Sequence, residues 1–98
     1  MPTSFDDFLK ELEAEAQAEG PDAVAELEAF RLHFSLARQL GARRREQHLT
    51  QKQLAELSGI DQSEISRIER AQANPTAATL GALTRALEVD VRLVPTRS

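Results

Sequence analysis

Few residues in this chain could do covalent chemistry. There is no cysteine, so a thiolate nucleophile, a disulfide and a zinc-thiolate site are all excluded. The two histidines, His33 and His48, are too few and too isolated for a metal site. Neither belongs to a histidine-carboxylate set with a credible nucleophile, and no glycine-rich loop is present to cradle a phosphate. An enzyme is therefore not expected, nor any cofactor or metal. The chemistry left to these residues is non-covalent: charge, hydrogen bonding and apolar docking.

Charge is distributed unevenly. The formal net charge of −4 hides an acidic first third and a basic remainder. Residues 1–30 hold Asp6, Asp7, Glu11, Glu13, Glu15, Glu19, Asp22, Glu26 and Glu28 against Lys10 alone, a net of −8. From Arg31 onward eleven arginines and lysines face seven acids, a net of +4. Such a split implies two surfaces with two kinds of partner. Arg43-Arg44-Arg45 beside Glu46 is the densest basic cluster, readable either as a solvated helix face or as a contact to an anionic backbone.

The elements that must position these groups are helical. Ser4 reads as an N-cap, with Asp6 and Asp7 suiting the positive end of the helix dipole. Phe5, Phe8, Leu9, Leu12 and Ala16 repeat as one apolar stripe on an acidic rod. That stripe either packs on the protein's own bundle or docks in a groove of another protein. Gly20-Pro21 breaks this helix, and Pro21 can open the next, in which Val24, Leu27, Phe30 and Phe34 run on toward Leu36 and Leu40 without a firm stop before His48. One long helix or two would satisfy that pattern. Thr50 with Gln53 reads as a capping box for a helix ending at Ser58-Gly59. Asp61 with Glu64 reads as a second box, opening a helix through Ile65 and Ile68 to about Arg70. Asn74-Pro75 marks a loop, Thr76 caps a helix carrying Leu80, Leu83 and Leu87, and Val89 to Val94 alternates as a strand does.

Two short capped helices separated by a glycine turn have the layout of a helix-turn-helix. Small Ala55 allows a close crossing, Gly59 permits the turn, and Ile60 can fill the space between the helices. The segment LTQKQLAELSGIDQSEISRIERAQANPTAATLGALTRAL, residues 49–87, resembles the Cro/repressor (XRE) family of DNA-binding domains through its TQ-x-x-LA, S-x-ISRIE and NP-T motifs. The resemblance implies an all-α fold, a five-helix repressor-like helix-turn-helix bundle, to which the residue pattern adds an N-terminal helical extension and a short C-terminal β-strand. Charge, periodicity and the resemblance together divide the chain into an acidic extension (1–30), a DNA-binding domain (31–88) and a strand with its tail (89–98).

Carried over by position, the resemblance implies that Gln62, Ser63 and Arg67 read bases in the major groove of duplex operator DNA. It places Gln51, Lys52, Ser66, Arg70, Gln72, Asn74, Arg43 and Arg44 near phosphates, which anchor without reading sequence. Two departures stand out. Ala71 occupies the place where the family usually ends the recognition helix with glycine, so either Ala71 adopts a left-handed conformation or the helix runs on. Gln72 replaces a frequent lysine or arginine, which implies modest affinity as a monomer.

A short repressor-type chain with an acidic segment is similar to antitoxins of the HigA-like class. That likeness implies autoregulation of an operon and neutralisation of a small basic RelE- or HigB-like toxin that cleaves messenger RNA, with Phe5, Phe8, Leu9 and Leu12 as the toxin-binding residues. The alternatives are a stand-alone repressor and a protein-only adaptor. A lone strand needs a partner for its backbone groups, so a homodimer through residues 89–94 is expected. The acidic start of the chain and the absence of a long apolar run point to a cytoplasmic protein without a membrane partner.

Overall fold

The computed structural model describes residues 4–96, which form five helices: α1 (Phe5–Glu19), α2 (Pro21–Glu46), α3 (Gln51–Ser58), α4 (Gln62–Glu69) and α5 (Ala77–Leu87). They fall into two compact units that divide within α2, between residues 35 and 36.

The N-terminal unit is a pair of helices with little buried interior. Ser4 caps α1, its hydroxyl accepting the Asp7 N–H at 3.2 Å. Gly20 ends α1 at φ 124°, and Pro21 starts α2 directly. The continuous α2 resolves the choice between one helix and two in favour of one. Ala16 is buried, while the aromatic residues form a chain of ring contacts. Phe5 lies 6.2 Å from Phe8 and stacks on Phe34 at 4.6 Å, and Phe34 lies 6.1 Å from Phe30. Phe5, Phe8 and Phe30 nonetheless remain about 40% exposed. Leu9 and Leu12 are half-buried. An exposed ion pair, Arg31–Glu13, joins α1 to α2.

The C-terminal unit has a true core. Leu40 of α2, Leu54 of α3, Ile65 and Ile68 of α4, and Leu83 and Leu87 of α5 are buried together, with Leu36, Leu49, Ala55, Ile60, Leu80 and Val89 packed around them. Each helix boundary has a local cause. Thr50 and Gln53 form the reciprocal capping box, with bonds of 3.0 and 2.8 Å. Gly59 closes α3 in the left-handed region at φ 77°, where a side chain would be strained. Thr76 caps α5 by accepting the Thr79 N–H at 3.1 Å. The second expected capping box is corrected: the Asp61 side chain makes no cap hydrogen bond, and α4 begins on the Asp61 carbonyl, which accepts the Ile65 N–H at 3.0 Å.

Three helices end on non-glycine residues held at positive φ: His48 after α2, Ala71 after α4 and Glu88 after α5. Each closes with the same pair of bonds. Leu49 donates to the Arg44 carbonyl and His48 to Arg45; Gln72 donates to Arg67 and Ala71 to Ile68; Val89 donates to Thr84 and Glu88 to Arg85. These are Schellman closures, and they satisfy carbonyls the helices would otherwise leave orphaned. Ala71 thus takes the left-handed conformation, and α4 does not run on.

The expected C-terminal strand is corrected as well. Among the described residues there is no strand, and residues 89–96 have no regular secondary structure. A ladder needs a neighbouring strand, and an all-helical chain provides none. Val91, Leu93 and Val94 are 58%, 99% and 80% exposed. Residues 1–3 of the expected extension and 97–98 of the expected tail lie outside the described residues.

Candidate nucleic-acid interface

Helix α4 has two faces, set by its sequence. Ile65 and Ile68 point into the core at 1% and 2% exposure. On the opposite arc, spacings of one, four, five and eight residues bring Gln62, Ser63, Ser66, Arg67 and Arg70 to one side. Gln62, Ser63, Arg67 and Arg70 are exposed, and Ser66 is half-buried. The three residues expected to read bases therefore share one outward surface, with two guanidinium groups on it. Arg70 also donates from Nε to the Ser66 carbonyl at 3.2 Å. Gln72 and Asn74, in the loop after α4, and Lys52, in the first turn of α3, are exposed.

Arg44 takes a different place from the one expected. Its Nε donates to Glu69 Oε2 at 2.8 Å, its Nη2 to Glu69 Oε1 at 2.9 Å, and its Nη1 to the Leu49 carbonyl at 2.8 Å. All three guanidinium nitrogens are engaged internally, and the two side chains are only 13% and 9% exposed. Arg44, one of the residues expected near phosphate, is thus committed within the fold, where it serves as a brace. The hydrogen bond to Glu69, opposed by partial burial and aided by the carboxylate charge, raises the Arg44 pKa above its ordinary value. The guanidinium stays charged at any working pH.

Gln51 joins the same cluster, donating from Nε2 to Glu69 Oε1 at 3.3 Å. It is half-buried at the first turn of α3. Arg43 donates from Nε to the Leu87 carbonyl at 3.0 Å, tying α2 to the end of α5, and pairs with Glu46 at 3.3 Å. Of the arginine triplet, Arg45 is the exposed member.

The residue that sequence reasoning missed is Glu69, the last residue of α4. One carboxylate receives Arg44 from α2 and Gln51 from α3, so it fastens the C-terminal end of α4 to both preceding helices. Gly41 makes room for it: a Cβ there would lie 3.3 Å from Glu69 Oε1. The available signal was an acid placed directly after the core residue Ile68 in a region of net positive charge. Neutralised by Arg44, Glu69 leaves the outward face of α4 to Arg67 and Arg70.

Two short helices in contact, joined by a glycine turn and presenting the second helix's polar face, agree with the sequence comparison. A family model described as "Helix-turn-helix" matches residues 40–94. The chain belongs to the helix-turn-helix family. An uncharacterized HTH-type transcriptional regulator of Haemophilus influenzae is similar to this helix-turn-helix protein, with 38% identity over 72 residues that cover 74% of each chain. A second, from Sinorhizobium fredii, is 38% identical over 60 residues, covering 61% of this chain and 31% of that protein. No solved structure matches the present chain. Among the described residues no helix is long and apolar enough to cross a membrane.

Proposed function

We propose that this helix-turn-helix protein is a dimeric transcriptional repressor that inserts α4 into the major groove of operator DNA, and that it acts as the antitoxin of a toxin–antitoxin pair in the cytoplasm. The observation that carries the DNA reading is the exposed face of α4. Gln62 pairs with adenine, Arg67 with guanine, and Ser63 with either. Gln51, Lys52, Ser66, Arg70, Gln72, Asn74 and Arg43 approach phosphates around them. The names of both relatives, HTH-type transcriptional regulators, support regulation of transcription.

The antitoxin half of the reading rests on the other unit. Its net of −8 over residues 1–30 suits a small basic partner, and half-exposed Phe5 and Phe8 supply apolar docking area that acids alone lack. Leu9 and Leu12 continue that stripe. The partner is a messenger-RNA-cleaving toxin of RelE or HigB type, and the protein represses the operon that encodes both.

The test is binding of the full chain to the DNA upstream of its own gene across a salt series. Roughly nanomolar affinity with a steep salt dependence is expected. The Gln62→Ala, Arg67→Ala double variant should lose sequence preference and keep the salt slope of the phosphate contacts. Absence of salt-sensitive binding in the wild type would overturn the reading and leave a protein-only adaptor. A second reading, a stand-alone repressor, is favoured by the stacking of Phe5 on Phe34, which gives the α1 stripe a partner within its own chain. Replacing Phe5 and Phe8 with serine separates the two. An antitoxin so altered keeps operator binding and fails to protect cells expressing the toxin from the neighbouring reading frame; a stand-alone repressor has no such toxin beside it.

A further inference from the structure

Helices α1 and α2 of the N-terminal unit do not close fully on each other near their turn. A groove remains there, made of two hollows that share Gln17, Val24 and Glu28. The outer hollow is shallow and mostly apolar, with Gly20, Pro21 and Ala25 around it. The inner one holds about 180 Å³ and takes its apolar lining from Ala16, Val24 and Leu27. Its charged lining is Glu13, Glu28 and Arg31. Arg31 and Glu13 neutralise each other as an ion pair. Glu28 is therefore the uncompensated charge of the groove: it is exposed and, like the Gln17 amide, has no ion pair or side-chain hydrogen bond among the described residues.

We propose that this groove receives an arginine side chain of a basic partner protein, with the guanidinium at Glu28 and Gln17 and the methylene stem along Val24 and Leu27. The inference rests on the reading of the acidic unit as a docking surface for a basic protein, and it names a second anchor for that partner. Long basic side chains lay their stems on apolar surface and keep the charged head near water. An apolar groove with one open carboxylate offers both. Size favours a side chain over a cofactor, since small-molecule pockets enclose roughly 300 to 1,000 Å³ and the inner hollow falls below that range. Charge favours a cation, because the net of −8 over residues 1–30 draws one in and Glu28 fixes where it ends.

Arginine suits the groove better than lysine. Its flat, weakly hydrated guanidinium can donate to a carboxylate and to an amide carbonyl at once, whereas an ammonium is a compact and strongly hydrated point charge. The groove also stands apart from the exposed rings. Gln17 follows Phe8 by nine residues on α1, about 14 Å of helix. A partner that touches both places therefore meets an apolar anchor at one end of α1 and a cation site at the other.

Titration of the isotope-labelled full chain with the capped peptide acetyl-Gly-Arg-Gly-amide, followed through amide chemical shifts, tests the site. Saturable shifts at Gln17, Val24, Leu27 and Glu28 are expected, with a Kd of roughly millimolar order. Glu28→Gln should weaken binding about fivefold, and so should replacing the peptide's arginine with citrulline, its neutral isostere. Glu26→Gln alters an exposed acid outside the groove and should leave the Kd within about twofold. Shifts that do not saturate, or equal losses for Glu26→Gln and Glu28→Gln, would overturn the proposal. Free L-arginine binding more tightly than the capped peptide would make the groove a metabolite site and overturn it too. The toxin reading is separable, because the peptide contains no toxin. Peptide binding at the groove with no basic toxin encoded beside the gene would strike the toxin and keep the arginine site; toxin binding unmoved by Glu28→Gln would strike the site and keep the toxin.

Discussion

The two units of this chain use the same kinds of interaction to different depths. In the C-terminal unit the Arg44–Glu69 pair is bidentate, 13% and 9% exposed, and shared among three helices. In the N-terminal unit the Arg31–Glu13 pair is 44% and 41% exposed. The contrast repeats in the apolar residues. Six large side chains of the C-terminal unit are buried at 6% or less, whereas the N-terminal rings touch one another and still leave three of four about 40% exposed. One unit spends its side chains on holding a helix in place, and the other keeps apolar and acidic groups available at its surface. The base-reading role proposed for Gln62, Ser63 and Arg67 would need the first arrangement, which holds a helix in fixed geometry; the docking role proposed for α1 would be served by the second.

Substitutions in matched pairs test this contrast. The largest difference is expected between the apolar residues. Leu83→Ala should cost roughly 2 to 5 kcal/mol in urea unfolding by opening a cavity in a dense core. Phe8→Ala should change stability by less than about 1 kcal/mol, its ring being 42% exposed. A large loss for Phe8→Ala would make α1 a structural element rather than a docking surface. The ion pairs come next. Glu69→Ala should cost about 2 to 3 kcal/mol in urea unfolding, because the partly buried Arg44 guanidinium loses its counter-charge. Glu13→Ala should cost no more than about 1 kcal/mol, since that pair is exposed and screened. Equal costs would remove the distinction.

Smaller effects sharpen the account of how α3 and α4 are bounded. Thr50→Ala removes one half of the capping box and should cost about 1 kcal/mol. Ala71→Gly should stabilise the fold by roughly 1 kcal/mol or less, as glycine adopts the left-handed closure of α4 without strain, partly offset by its freer unfolded chain. Thermal unfolding would show the sign of both. If Ala71→Gly destabilises, the strain assigned to that turn is absent.

Much of the fold was legible because helix boundaries are local. Thr50 with Gln53, Gly59, Thr76 and Gly20-Pro21 each act on the few residues beside them, so their types and spacing announce the stop of α1, the starts of α2, α3 and α5, and the stop of α3. The core was legible for a similar reason: Leu54, Ile65, Ile68, Leu83 and Leu87 fall on the inward face at helical spacing. The outward face of α4 follows from the same periodicity.

Other features depended on partners distant in the chain. Arg44 looks the same in the sequence as Arg43 and Arg45, and only the approach of Glu69, 25 residues on, makes it internal. Asp61 and Glu64 have the letters of a capping box, yet the Asp61 side chain forms no cap bond. Val89 to Val94 has the letters of a strand, and a single chain gives it nothing to pair with. The sequence by itself determined where helices begin and which faces turn inward, because caps and periodicity act within a few residues. Tertiary structure decided which charges are spent on the fold and which stay free for a partner, because an ion pair or a ladder exists only when two separate segments meet.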